Sequence, residues 1–262
     1  MDNARKTVLL ENLVAQLCAE RKFEPPETEN VDELWNVFRA LVNTRPPIPA
    51  SSEWLAMQDE LLQGIIAEAG IRDIDDAASS PIDPRLRLWR GDITTIAVGA
   101  IVNAANSQML GCWVPGHHCI DNAIHTFSGV QLRKECARIM EEQGHEEPTG
   151  SAKITPAYNL PSERIIHTVG PIANGHPTDL HREQLASCYR SCLELAAENS
   201  LHSIAFCCIS TGVFGFPQEE AAKIAVSTTR RWLSTSETDM TVVFNVFSRE
   251  DEAIYSDLLA VS

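Results

Sequence analysis

Residues 203–217 read Ser203-Ile204-Ala205-Phe206-Cys207-Cys208-Ile209-Ser210-Thr211-Gly212-Val213-Phe214-Gly215-Phe216-Pro217. The run Ser203–Ile209 is apolar, too short for a helix and closed by a Ser-Thr-Gly turn, so it predicts a buried strand. Pro217 suits the first turn of a helix, where its missing N–H is no loss, and that helix is expected to reach about Leu233. Strand, loop and helix in this order form the repeating unit of a parallel sheet covered by helices. The alternation continues in both directions. Upstream, strands are expected at Leu86–Trp89, Gly99–Ala104, Ala152–Thr155 and Ile165–Val169. Helices are expected from Ile120 to just before Gly144 and from Asp179 to Asn199. Downstream, Thr241–Phe247 reads as a last strand and Glu250–Leu259 as a last helix. Residues 85–262 therefore read as an α/β domain, three-layer α/β/α, with a mixed, largely parallel central sheet.

Residues 1–84 differ in character and read as an N-terminal helical extension and linker. Leu34, Phe38, Leu41 and Val42 share one helical face, and Pro46, Pro47 and Pro49 stop that helix. A further helix is expected from Ser52 to Ala69, with Leu55, Leu62, Ile65 and Ile66 inward and Gly70 as its C-terminal cap. Asp73–Pro84 is acidic, rich in small residues and proline-bearing, and reads as the linker.

Composition narrows the function classes. The 262 residues carry a formal net charge of -15. A surface of that sign repels phosphate backbones and argues against general nucleic-acid binding, while a local nest of backbone N–H groups still holds one diphosphate. No segment has the run of apolar residues a membrane span needs. The opening MDNARKTVLLENL lacks the pattern of a signal peptide, so a cytoplasmic location is expected, the nucleus not being excluded. The eight cysteines then read as thiols or metal ligands rather than disulfides.

Ligands of such folds sit at the carboxyl ends of the strands, and three segments fall there. Gly91-Asp92-Ile93-Thr94 is either a plain turn capped by Asp92 or an acceptor for an adenine amino group. Asn103-Ala104-Ala105-Asn106-Ser107 is either a turn or a pair of amides suited to sugar hydroxyls, which need donor and acceptor together. Ser210 through Phe214 is either a tight connection or a diphosphate cradle formed by glycine-permitted backbone and a helix N-terminus.

A fourth segment, Gly111-Cys112-Trp113-Val114-Pro115-Gly116-His117-His118-Cys119, concentrates soft and borderline ligands. Thiolate with imidazole favours zinc. The spacing is not that of a zinc finger. Cys112, His117 and Cys119 as three ligands leave a fourth position open, the mark of a catalytic site; His118 is expected to point elsewhere. The alternative is a loop with chance thiols. Cys188, Cys192, Cys207 and Cys208 read as core, His125 as a packed or capping side chain, and Trp35, Trp54 and Trp232 as helix anchors. Glu141, Glu142, Glu146 and Glu147 read as a solvated helix end.

Taken in order, GDIT, VNAANS, a loop ending in Ile120-Asp121-Asn122-Ala123-Ile124-His125, and STGVFGFP resemble the macrodomain family. In ordinary macrodomain hydrolases a glycine-rich loop follows NAANS. Here Cys112–Cys119 stands in its place, as in the zinc-containing macrodomain subfamily, and Phe38–Pro47 with Gln58–Leu62 resembles that subfamily's N-terminal region. The resemblance implies a zinc-dependent hydrolase that removes mono-ADP-ribose from proteins, with Asp/Glu esters favoured. It implies that Asp92 and Ile93 hold adenine, that Asn106 orients the distal ribose with Asn103 supporting it, and that Thr211–Phe214, after Ser210, wraps the diphosphate. It further implies that Phe247 packs near the adenine, that Cys112, His117 and Cys119 bind zinc, and that Asp121 faces the distal ribose. The bound zinc would polarise the linkage, orient ribose hydroxyls or lower the pKa of a water, with Asp121 positioning that water or taking its proton. Rival expectations are a non-catalytic reader of ADP-ribose, a deacetylase of O-acetyl-ADP-ribose, a hydrolase acting on nucleic-acid ends, and a purely structural zinc. The expected partner is an ADP-ribosylated protein, the expected state a monomer.

Overall fold

The computed structural model describes residues 1–261. The chain opens with α1 (Asn3–Arg21), α2 (Val31–Asn43) and α3 (Ser52–Ala69). α1 is additional to the helices expected from sequence. Its signal is nonetheless present: Leu10, Leu13 and Leu17 recur at helical spacing, and Asp2 accepts from the Arg5 N–H as N-cap. Asn30 and Ser51 cap α2 and α3 in the same way. The three helices enclose their own core of Leu9, Leu10, Leu13, Leu17, Phe38, Leu61 and Leu62, among others. Each such side chain withdrawn from water contributes about 1.5–3 kcal/mol, so this small body has its own hydrophobic reason to fold.

The segment expected to be a linker is ordered. It forms β1 (Arg72–Asp73), a 3-10 turn at Ile74–Asp76 and β2 (Ala78–Ser79). The backbone polar groups of so short a connection are satisfied by pairing rather than by water: β2 joins the main sheet antiparallel to β3 (Leu86–Arg90), and β1 pairs with β4 (Ile96–Ala97).

Then follow β5 (Ala100–Ala105), α4 (Ile120–Ser128), α5 (Val130–Gln143), β6 (Ala152–Pro156), β7 (Arg164–Val169), α6 (Asp179–Glu198), β8 (Ser203–Phe206), α7 (Gln218–Thr235), β9 (Thr241–Val246) and α8 (Arg249–Leu259). The sheet runs β2-β3-β9-β8-β5-β7-β6. Its four inner pairings are parallel and its two edge pairings antiparallel. This is the mixed, largely parallel sheet expected. Its strands are apolar because both faces are covered; Ile101, Val102, Ile165, Ile166, Ile204, Val242 and Val243 are wholly buried.

Two expectations are corrected here. The single helix expected from Ile120 is two, broken at Gly129, whose φ is 102°. A side chain there would meet Gln58 Nε2 at 2.6 Å, so glycine serves both the backbone angle and the close approach of α3. Glu147 is not solvated: it is buried, and its carboxylate lies 3.3 Å from Lys153 Nζ. The four cysteines read as core do line it, Cys208 being only partly covered.

Candidate functional site

Because β3, β9, β8 and β5 are parallel neighbours, their carboxyl ends share one edge of the sheet. Asp92 follows β3, Phe247 follows β9, Ser210–Phe214 follows β8 and Asn106 follows β5. Four segments separated in sequence thus line up as acid, aromatic, nest and amide.

At the first position Asp92 does what a turn residue does. It caps the 3-10 turn Ile93–Thr95, its Oδ1 accepting from Thr94 N at 3.0 Å and Thr94 Oγ1 at 2.7 Å. Its carboxylate is exposed, and Oδ2 makes no hydrogen bond among the described residues. Both readings of Asp92 are therefore compatible: one oxygen builds the turn, the other faces outward. Ile93 is buried, so only its backbone is placed to meet a ligand. Beside them Phe247 is 81% exposed, a flat apolar surface unpaired by the fold.

In the third segment Ser210 is held at φ 66°, outside the region a non-glycine residue prefers. The loop is tied by Gly215 N to Gly212 O (3.0 Å) and Phe216 N to Ser210 O (2.9 Å). Phe214 O accepts from Ala173 N and Asn174 N, so a second loop after β7, not singled out from sequence, braces it. The N–H groups of Gly212, Val213 and Phe214 have no acceptor among the described residues. α7 begins directly after Pro217 with no side chain capping it, and a row of free amides before a helix start is an anion cradle.

At the fourth position Asn106 Nδ2 donates to Gly111 O (3.2 Å) and lies 3.5 Å from Asp121 Oδ2. Asn103 is wholly buried, and its Nδ2 donates to Asp121 Oδ1 at 2.8 Å. Asn103 therefore supports Asp121 from beneath. Asp121 itself is 5% exposed. Burial lifts its carboxyl to about 6, held back by the Asn103 hydrogen bond and the charge of Arg133.

The β5–β7 register sets Asn103 opposite His167. His167 Nδ1 accepts from Asn103 Nδ2 at 3.1 Å, which leaves the proton on Nε2, 2.9 Å from Thr155 Oγ1. Burial lowers His167 to about 3, so it is neutral. His125 stands 3.6 Å from Asp121 and has both ring nitrogens buried without a partner. Burial first, then His167 and Arg133, push its pKa well down. The contact with Asp121 is accordingly dipolar rather than ionic. His125, His167 and Cys136 also come together, but the ring nitrogens of His167 are engaged by protein groups, and the cluster is a buried support of Asp121.

Cys112 Sγ, a His117 ring nitrogen and Cys119 Sγ lie within 4.8 Å of one another. Cys112 Sγ is 3.5 Å from His117 Nδ1. Zinc bonds of about 2.3 Å to sulfur and 2.0–2.1 Å to nitrogen in a tetrahedron would separate those atoms by about 3.6 Å, so the donor set fits zinc. His118 is exposed and outside the cluster. Cys119 is also the N-cap of α4, its sulfur accepting from Asn122 N at 3.5 Å; burial raises its thiol to about 11, with the Asn122 N–H pulling the other way. The ligand cluster and Asp121 are thus two residues apart at one helix start.

Comparison with known proteins gives the family of the fold. Residues 102–225 match the family model described as Macro domain. The chain is 53% identical over 260 residues to a protein-ADP-ribose hydrolase of Treponema medium, covering 98% of each chain. It is 49% identical over 227 residues to a protein-ADP-ribose hydrolase of Staphylococcus aureus strain MRSA252, covering 86% of this chain and 85% of that one. Among solved structures it is similar to a Trypanosoma brucei macrodomain in complex with ADP-ribose. The TM-score there is 0.65 and the identity 30%, over 84% of this chain and 94% of that one.

Proposed function

Since the chain belongs to the macro domain family, alongside protein-ADP-ribose hydrolases that match it nearly end to end, we propose that it is a zinc-dependent hydrolase freeing mono-ADP-ribose from protein side chains, with Asp/Glu esters its preferred linkage. The observation that carries this reading is the meeting of three metal-type ligands with the buried carboxyl of Asp121 beside Asn106 at the end of β5.

ADP-ribose fits the edge of the sheet in one direction. Adenine lies against Phe247 with its amino group toward Asp92. The diphosphate rests on the N–H groups of Gly212, Val213 and Phe214, and the distal ribose reaches Asn106. Cys112, His117 and Cys119 would hold zinc, which supplies a Lewis acid beside the linkage when bound. Hydrolysis adds one water across the ester: the carboxylate stays with the target protein and the hydroxyl with the ribose. Asp121 accepts the proton of that water. Its carboxyl is buried at the start of α4, 3.5 Å from Asn106 Nδ2, where a general base for that water is needed. Asn103 keeps it oriented.

The test is single-turnover release of ADP-ribose from an Asp/Glu-modified protein by as-purified enzyme, by metal-stripped enzyme and by Cys119→Ala. Release is expected only from metal-loaded wild type, and zinc restores the stripped enzyme. Full turnover by metal-free Cys119→Ala protein overturns the zinc reading. Tight ADP-ribose binding without any release makes the protein a reader instead.

A further inference from the structure

The loop that carries the three ligands barely holds itself. Within Leu110–Cys119 a single backbone–backbone hydrogen bond forms among the described residues, His117 N to Val114 O at 3.2 Å. Two exposed apolar residues, Trp113 and Val114, lie at its tip. A segment so poorly paired would sample many shapes if left alone, and ordering it on metal binding would cost affinity.

Its shape is imposed from outside, largely by the helical extension. Arg39 and Asn43 lie four apart on α2 and so share a face. Arg39 Nη2 donates to the His117 carbonyl oxygen at 3.1 Å and to Asn122 Oδ1 at 3.0 Å. Asn122 passes the constraint on, donating from Nδ2 to Val114 O at 3.1 Å and from its backbone toward Cys119 Sγ. Asn43 is buried; its Oδ1 accepts from Gly116 N at 3.0 Å, where the loop turns through a φ of 64°, and its Nδ2 donates to Thr126 Oγ1 at 2.9 Å. Behind them Arg133 of α5 donates to Leu110 O, Val42 O and Arg45 O and lies 4.2 Å from the centre of the Trp113 ring. That one side chain fastens the loop, the end of α2 and α5 together. Arg39 Nε is buried without a partner, a cost the arrangement tolerates to keep the guanidinium against the loop.

We propose that Arg39 and Asn43 are positioning residues that hold Cys112, His117 and Cys119 ready for zinc, so that the N-terminal helical extension is a working part of the metal centre. The proposal rests on the zinc reading above. Neither residue touches the metal or the nucleotide; both act through the carbonyls and amides between the ligands.

Zinc affinity is measured by competition with a chromophoric chelator on full-length wild type, Arg39→Met, Arg39→Lys and Asn43→Ala. Arg5→Met is the control, since among the described residues the Arg5 side chain pairs only with Glu60, inside the extension. ADP binding and circular dichroism, run in parallel, report on folding. Arg39→Met and Asn43→Ala are expected to bind zinc about 10- to 100-fold more weakly with ADP affinity retained. Arg39→Lys recovers part of the loss, and Arg5→Met behaves as wild type. Equal zinc affinity in wild type, Arg39→Met and Asn43→Ala overturns the positioning role while leaving the zinc reading intact. Equal losses in zinc and ADP affinity overturn it too, because they mark general misfolding. Wild type that takes up no zinc overturns the zinc reading and this proposal together.

Discussion

At Asp121 burial and ionisation pull against each other. The carboxyl rises from 3.8 to about 6 because burial penalises the charged form more than Asn103 and Arg133 favour it. A folded pKa above the unfolded one means that the folded state holds the proton more tightly. The stability it contributes is therefore complete below about pH 4 and is lost as pH rises through about 6. In metal-stripped protein, Asp121→Asn is expected to raise stability near neutral pH by up to about 3 kcal/mol and to stop release of ADP-ribose. The gain should vanish at about pH 4. Urea unfolding of both proteins at the two pH values measures this, and no gain at neutral pH would show that the site favours the carboxylate. The types of these side chains were readable from sequence: Asp121, Asn106, Cys112, His117 and Cys119 are residues whose chemistry exceeds what a loop requires. The support beneath them was not. His167, His125 and Arg133 look like ordinary strand and helix residues until the register and burial are known, since a buried neutral histidine and an exposed one share the same letter.

Among the elements, the strands were the most legible, because a sheet covered on both faces writes unbroken apolar runs into the sequence. β5, β7, β8 and β9 fall within a residue or a few of their expected bounds. Breaks were less legible. Gly129 interrupts a continuous helical pattern, and only the approach of Gln58 to its backbone, together with a φ of 102°, explains why α4 and α5 separate there. Gly129→Ala is expected to cost about 1–3 kcal/mol, read as a lower urea midpoint with an unchanged slope. A neutral substitution would mean that the junction relaxes freely. β2 was hidden for another reason: two residues carry no periodicity, and pairing with β3 is what makes them a strand.

Across the whole molecule, two hydrophobic cores are joined by apolar and polar contacts together: Ile66 of α3 lies in the core of the sheet domain, and Phe127 packs against both cores. Asn43, Gln58, Asp59, Gln63 and Arg39 of the extension bond Gly116, Val130, Asn159, Asn122 and their neighbours in the sheet domain. Many of these groups are buried, so separating the bodies would leave them unpaired at a substantial penalty. Unfolding is accordingly expected to be one transition. In a variant whose other four tryptophans, Trp35, Trp89, Trp113 and Trp232, are replaced by Phe, Trp54 fluorescence and the circular dichroism of the full chain should give the same urea midpoint; two midpoints would make the extension an independent body. By itself, the sequence determined the fold class, the types of the candidate site residues and the order of their segments along the chain, because apolar patterning and side-chain chemistry are properties of local composition. Tertiary structure alone decided that Asn103 supports Asp121, and that α2 grips the loop of Cys112–Cys119. Those outcomes depend on strand register and on which backbone groups two distant segments leave unsatisfied when they meet, and hydrogen-bond geometry across such distances leaves no periodic trace in the chain.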